Sequence, residues 1–245
     1  MEKQNIKYHI DNYMHEFNRA VYHPILNRDI GQPNLDETTA FILLLPKLNG
    51  EEWTESMNTA AIAVGAVYAA FDAHDTIDAD DATTTQQQLT VLSGDYLSGV
   101  YYKVLAAVAD FEFINVLSKA IGQINEVKTD FYYKSTSDLK TNLDAIKIIK
   151  AECTIRFLQT FGFDKYIPLA AAALPLLSMD PVLGEDFEQV VPIAKGWVIP
   201  SSQADQAIAE LRMDMHQAIT EASFIAPFLK EEIRGRTTPL LGKMI

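Results

Sequence analysis

The sequence predicts an all-α protein, a single-domain bundle of about ten helices over residues 1–245, and three observations carry that expectation. Alternating Val/Ile/Thr runs bounded by Asn-Gly or Asp-Gly turns are scarce. Apolar residues recur instead at helical spacing, with short connectors between the runs. No fixed-period repeat, low-complexity linker or shift in composition divides the chain.

Taken in order, Tyr8, Tyr13 and Phe17 mark a first helix that ends near His23-Pro24. Leu35-Asp36-Glu37 opens a second, whose apolar residues Phe41–Leu45 run up to Pro46. A long helix is expected from Glu51 towards Asp78, then helices over Gln86–Asp110 and Phe111–Lys134, with Asp110 as N-cap of the latter. Asp138–Phe161, Pro168–Ser178, Phe187–Ala194, Ser201–Ile219 and Glu221–Ile233 complete the set. Gly162 through Gly196, rich in Pro and Gly, is the expected irregular region.

Composition narrows the function. The 245 residues carry 20 Lys+Arg against 33 Asp+Glu, a formal charge of −13, with 48% apolar and 22% charged residues. That is a folded globular composition with ample material for a core. Nucleic-acid readers draw affinity from clustered Lys and Arg, so the acidity argues against that class and against electrostatic membrane anchoring. A single cysteine, Cys153, excludes an intrachain disulfide or a Cys-based zinc site. The start lacks the apolar stretch of a signal peptide. The longest uncharged apolar runs, Ala60–Phe71 and Ile167–Leu177, fall short of the roughly 18–20 residues that span a bilayer. A reduced, cytoplasmic protein without a transmembrane segment is the expectation.

The run Ala60–Phe71, AAIAVGAVYAAF, is apolar on every face and reads as a central helix surrounded by others. Its small residues permit either close helix packing or a cavity wall. It leads into Asp72-Ala73-His74-Asp75-Thr76-Ile77-Asp78. Helical residues three apart differ by about 60° in direction, so Asp72, Asp75 and Asp78 form a rising row. Such a row is either a place for a hard cation such as Mg²⁺ or a solvated acidic helix end. No G-x-S-x-G, Walker A, G-x-G-x-x-G or H-E-x-x-H pattern occurs. His74 beside Asp75 reads as a paired base or, more simply, as a capping or packing residue.

Phe71–Tyr102, FDAHDTIDADDATTTQQQLTVLSGDYLSGVYY, resembles component 1 of the two-component heptaprenyl or hexaprenyl diphosphate synthases of Gram-positive bacteria. The resemblance rests on Ala73-His74-Asp75 and above all on Gln88–Tyr102, with Ile124–Lys128, His23-Pro24 and Pro33–Glu37 in support. That family is similar to the trans-prenyltransferases, an all-α fold in which a central helix ends in D-D-x-x-D and a later helix carries a G-D-[YF]-L-like run. Here Thr76 stands where the second adjacent Asp would be, and Thr83-Thr84-Thr85 where an Arg pair is expected. No second D-D-x-x-D and no Gly-Lys-Arg diphosphate clamp occurs. Ionising an allylic diphosphate needs metal ions held from two sides plus cationic groups for the leaving diphosphate.

The resemblance therefore implies a non-catalytic but required subunit. Catalytic component 2 would hold the Mg²⁺, act on allylic prenyl diphosphate and isopentenyl diphosphate, and make a hexa- or heptaprenyl product for the menaquinone side chain. This chain would help set product length. Val67, Ala70, Phe71 and His74 are the candidate tunnel residues; Asp72, Asp75 and Asp78 a vestigial metal site; Gly94, Asp95, Tyr96, Ser98, Gly99, Tyr101 and Tyr102 the candidate subunit interface. A stand-alone Mg²⁺-dependent enzyme similar to class I terpene synthases, using the same three aspartates, is the alternative. A helical adaptor without a lipid ligand is a third.

Overall fold

Capping side chains and prolines set most helix starts in the computed structural model, which describes residues 2–77, 84–132, 138–179, 182–183, 189–194 and 197–241. The chain divides into two compact units, Met1–Ser118 and Lys119–Ile245.

In the first unit, α1 (Glu2–Ala20) buries Ile6, Ile10, Tyr13 and Phe17, one stripe at helical spacing. A short α2 (Pro24–Asp29) follows, where Pro24 opens the helix and His23 Nδ1 accepts the Leu26 amide at 3.3 Å. The second expected helix is split at Leu44 into α3 (Glu37–Leu43) and α4 (Leu45–Leu48), because Pro46 suits the first turn of a new helix. Asp36 caps α3, accepting the Thr39 amide at 2.8 Å. The central helix α5 (Glu55–Asp75) begins at the Thr54 cap and buries Ala60, Ala61, Ala63, Val64, Gly65, Ala66, Val67, Ala69 and Ala70, so it is enclosed as its apolar run requires. Thr84 caps α6 (Thr85–Ala107), which packs along α5. Asp110 caps α7 (Phe111–Tyr132), accepting the Phe113 amide at 3.0 Å, and the boundary between the units falls within this helix.

Gly65 permits a close approach of α1 to α5. A Cβ there would lie 2.6 Å from the Tyr13 hydroxyl and 3.1 Å from a Phe17 ring carbon. That hydroxyl donates to the Ala61 carbonyl at 2.9 Å, tying α1 to α5, and burial pushes the phenol pKa up.

In the second unit, Asp138 caps α8 (Leu139–Thr160), accepting the Thr141 amide at 3.0 Å, and Gly162 just past its end takes a φ of +75°. A 3₁₀ turn (Asp164–Tyr166) leads to α9 (Ile167–Leu177), which packs on α8 and on α10 (Ser201–Glu221). Arg156 pairs at 2.6 Å with the buried Glu152 carboxylate, and Lys147 with Asp214 at 2.7 Å. Cys153 is fully buried; burial and the Glu152 carboxylate push its thiol pKa up. The last helix, α11 (Pro227–Leu241), starts at Pro227 rather than Glu221, and α10 runs on to Glu221.

One expected helix is replaced. Gln189–Ala194, within the helix expected at Phe187–Ala194, is strand β2, flanked by β1 (Val182–Leu183) and β3 (Trp197–Ile199) in an antiparallel order β1-β2-β3. Val190, Val191 and Ile193 are β-branched, and Pro192 would remove a hydrogen bond from a helix interior. The β2–β3 register shifts between Pro192 and Ala194, next to the residue without an amide hydrogen. This small ribbon is inserted in an all-α chain of eleven α-helices among the described residues. None of those helices is long and apolar enough to cross a membrane.

Candidate functional site

Ala69, Asp72, Ala73 and Thr76 recur at three- and four-residue steps, so one side of α5 runs on past its buried stretch to a polar end. Gln86, Thr90, Ser93 and Leu97 form the matching side of α6. With Ile30–Asn34, which joins α2 to α3, these sides enclose a cleft of about 480 Å³ in the first unit. Its lining is apolar at Ala69, Ala73 and Leu97 and carries amides and hydroxyls from Asn34, Gln86, Thr90 and the buried Ser93. Thr84, Gln86 and Gln87, at the start of α6, also line it. Among the described lining residues Asp72 is the one formal charge; no Lys or Arg joins it.

Of the expected metal residues, Asp72 is exposed and faces the cleft, whereas Asp75 is half-buried and does not line it. Asp78 lies outside the described residues. No group of three His, Cys, Asp or Glu side chains that could hold a metal ion occurs among the described residues. Asp72 and Asp75 do not compose the two-sided ligand set that a cluster of Mg²⁺ ions on a diphosphate requires.

The candidate tunnel residues sit one helix face away. Val67 and Ala70 are buried, Phe71 and His74 half-buried, and none of the four lines the cleft, although their neighbours Ala69 and Ala73 do. His74 instead fills the seam between α5 and α6. A Cβ on Gly94 would meet its imidazole ring atoms at 2.5 to 2.8 Å, and its Nε2 lies 3.9 Å from the Asp95 carboxylate. Gly94 is therefore the seat of an imidazole ring.

The expected interface residues divide by the same helical geometry. Gly94 and Tyr101 face the interior, Tyr96 and Ser98 are half-buried, and Asp95, Gly99 and Tyr102 are exposed. No atom lies within 4 Å of the position a Cβ on Gly99 would take. The Tyr96 hydroxyl donates to the Tyr22 carbonyl at 3.0 Å, its ring lies 5.0 Å from that of His23, and burial pushes its pKa up. His23-Pro24 and the α6 segment, both part of the sequence resemblance, thus meet through one tyrosine. The amide and hydroxyl lining of the cleft escaped sequence reasoning, since Gln86, Thr90 and Ser93 belong to no motif with a chemical signature.

A central small-residue helix paired with a second long helix, with a cleft where both turn polar, defines a helical protein, and its fold matches that of solved prenyl diphosphate synthases. Geranylgeranyl pyrophosphate synthase from Lactobacillus brevis aligns over 99% of this chain and 91% of its own, with a TM-score of 0.57 at 14% identity. A deletion mutant of the mint heterotetrameric geranyl pyrophosphate synthase, solved with ligands, aligns over 96% and 97%, with a TM-score of 0.57 at 12% identity. These likenesses establish the fold. The family model described as heptaprenyl diphosphate synthase (HEPPP synthase) subunit 1 matches residues 23–180, and the chain belongs to that family. Heptaprenyl diphosphate synthase component 1 of Geobacillus stearothermophilus is 30% identical over 95 residues, 39% of this chain and 43% of that relative, so the match spans less than half of the relative's length.

Proposed function

We propose that the chain is a required but non-catalytic subunit of a two-subunit trans-polyprenyl diphosphate synthase. Catalytic component 2 holds the Mg²⁺ and both substrates, allylic prenyl diphosphate and isopentenyl diphosphate. Membership of the subunit 1 family supports a partner, and one observation carries the division of labour: the cleft at the end of α5 offers Asp72 and neutral amides, with no described cation to receive a diphosphate. The chain helps set the length of a hexa- or heptaprenyl product for the menaquinone side chain through its packing on the catalytic subunit, since Val67 and Ala70 are buried and do not line the cleft at the end of α5. The exposed side of α6, at Asp95, Gly99 and Tyr102, is the interface, and the complex works in the cytoplasm.

Mixed with the cognate catalytic subunit and passed over a sizing column, the chain is expected to elute as a stoichiometric complex. Two separate peaks at micromolar concentrations would remove the subunit reading.

A further inference from the structure

We infer that the docking face for the catalytic subunit is wider than α6 and takes in the α1–α2 junction at Tyr22 and Ile25; this rests on the subunit reading above. Leu92, Asp95, Gly99 and Tyr102 share one arc of α6, because steps of three, seven and ten residues keep them within about 80° of one another. Leu92 is 56% and Tyr102 47% exposed, and the 23-residue helix carries only two formal charges, Asp95 and Lys103. Tyr96 stands at the edge of that arc and reaches sideways to the Tyr22 carbonyl and the His23 ring. The contact seats Tyr22, 58% exposed, and Ile25, 50% exposed, on elements adjoining the arc. Large apolar groups scattered singly over a surface need no explanation, but gathered on adjoining elements they mark an interaction site.

Area argues for the wider face. A stable interface takes about 800 Å² from each partner, and one aromatic side chain supplies at most about 150–250 Å². Leu92, Gly99 and Tyr102 alone fall short, and the junction adds the exposed parts of Tyr22 and Ile25 to that area. The occupant is the second subunit that a subunit 1 family requires, presenting an apolar, weakly charged helical surface.

The test titrates the intact chain calorimetrically with the cognate catalytic subunit. Ile25→Glu is expected to raise Kd at least about tenfold, and Tyr22→Ser by a smaller factor, with thermal melts of the free chain unaltered. Tyr8→Ser, an equally exposed tyrosine some 20 Å back along α1, is expected to leave Kd unchanged. Tight binding by the parent chain with no change in Ile25→Glu or Tyr22→Ser would overturn the wider face and leave the subunit reading standing. No binding by the parent chain would overturn that reading itself. A homodimer of the free chain that Ile25→Glu dissociates would overturn the choice of occupant.

Discussion

Incubated alone with farnesyl diphosphate, isopentenyl diphosphate and Mg²⁺, the chain is expected to release no pyrophosphate, while added to its catalytic partner it raises product formation by roughly two orders of magnitude or more over the partner alone. Breaking an allylic carbon–oxygen bond places negative charge on the departing diphosphate. Each preorganised donor aimed at such charge is worth about 10²–10³ in rate, some 2.7–4 kcal/mol. In the cleft at the end of α5 the one formal charge among the described lining residues is Asp72, of the wrong sign for a leaving anion. Asp75→Ala in the assembled complex is expected to lower the rate by less than about tenfold, since Asp75 does not reach the cleft. A loss near 1,000-fold, about 4 kcal/mol, would put that carboxylate in the chemistry. Pyrophosphate release by the isolated chain would favour the stand-alone enzyme. A partner whose rate is unaffected by the chain would end the proposal.

Gly65→Ala is expected to destabilise the first unit by about 2–4 kcal/mol, read from chemical denaturation of the intact chain. The new methyl would meet the Tyr13 hydroxyl at 2.6 Å, well inside contact distance. Overpacking of this kind costs about 1–3 kcal/mol, and pushing the buried hydroxyl off the Ala61 carbonyl adds about 1–3 more. The better helix propensity of alanine returns about 1 kcal/mol. Tyr13→Phe in the Gly65→Ala background is expected to recover part of the loss, because it removes the atom that collides and the donor that would be stranded. Additive losses in the two variants would show that the methyl is accommodated elsewhere.

Helix ends were the most legible part of the molecule because their signals are local. Asp110 and Asp138 cap through their own side chains, and Pro168 stands in the first turn of α9 as expected, whereas Pro24 opens a short helix and Pro227 a late start that the apolar spacing does not report. The segment at 187–194 reads as a helix along the sequence because a short apolar run has no decisive period, although Pro192 is at odds with a helix interior. Within the candidate site, Asp72 was legible as the carboxylate that ends a buried helix. His74 was not legible as a seam residue, because it differs by only 100° from Ala73, which faces the cleft. Which of two adjacent residues turns towards a neighbouring helix depends on a glycine twenty positions later, and no pattern along one helix reports that.

Cys153 is the chain's one sulfhydryl, and its burial in α8 makes it a clock for the second unit. An alkylating reagent in excess can mark only molecules in which α8 has parted from its neighbours, so the labelling rate counts openings of that unit alone. Subunit binding that steadies the second unit would slow the clock, and binding confined to the first unit would leave it running at the same pace.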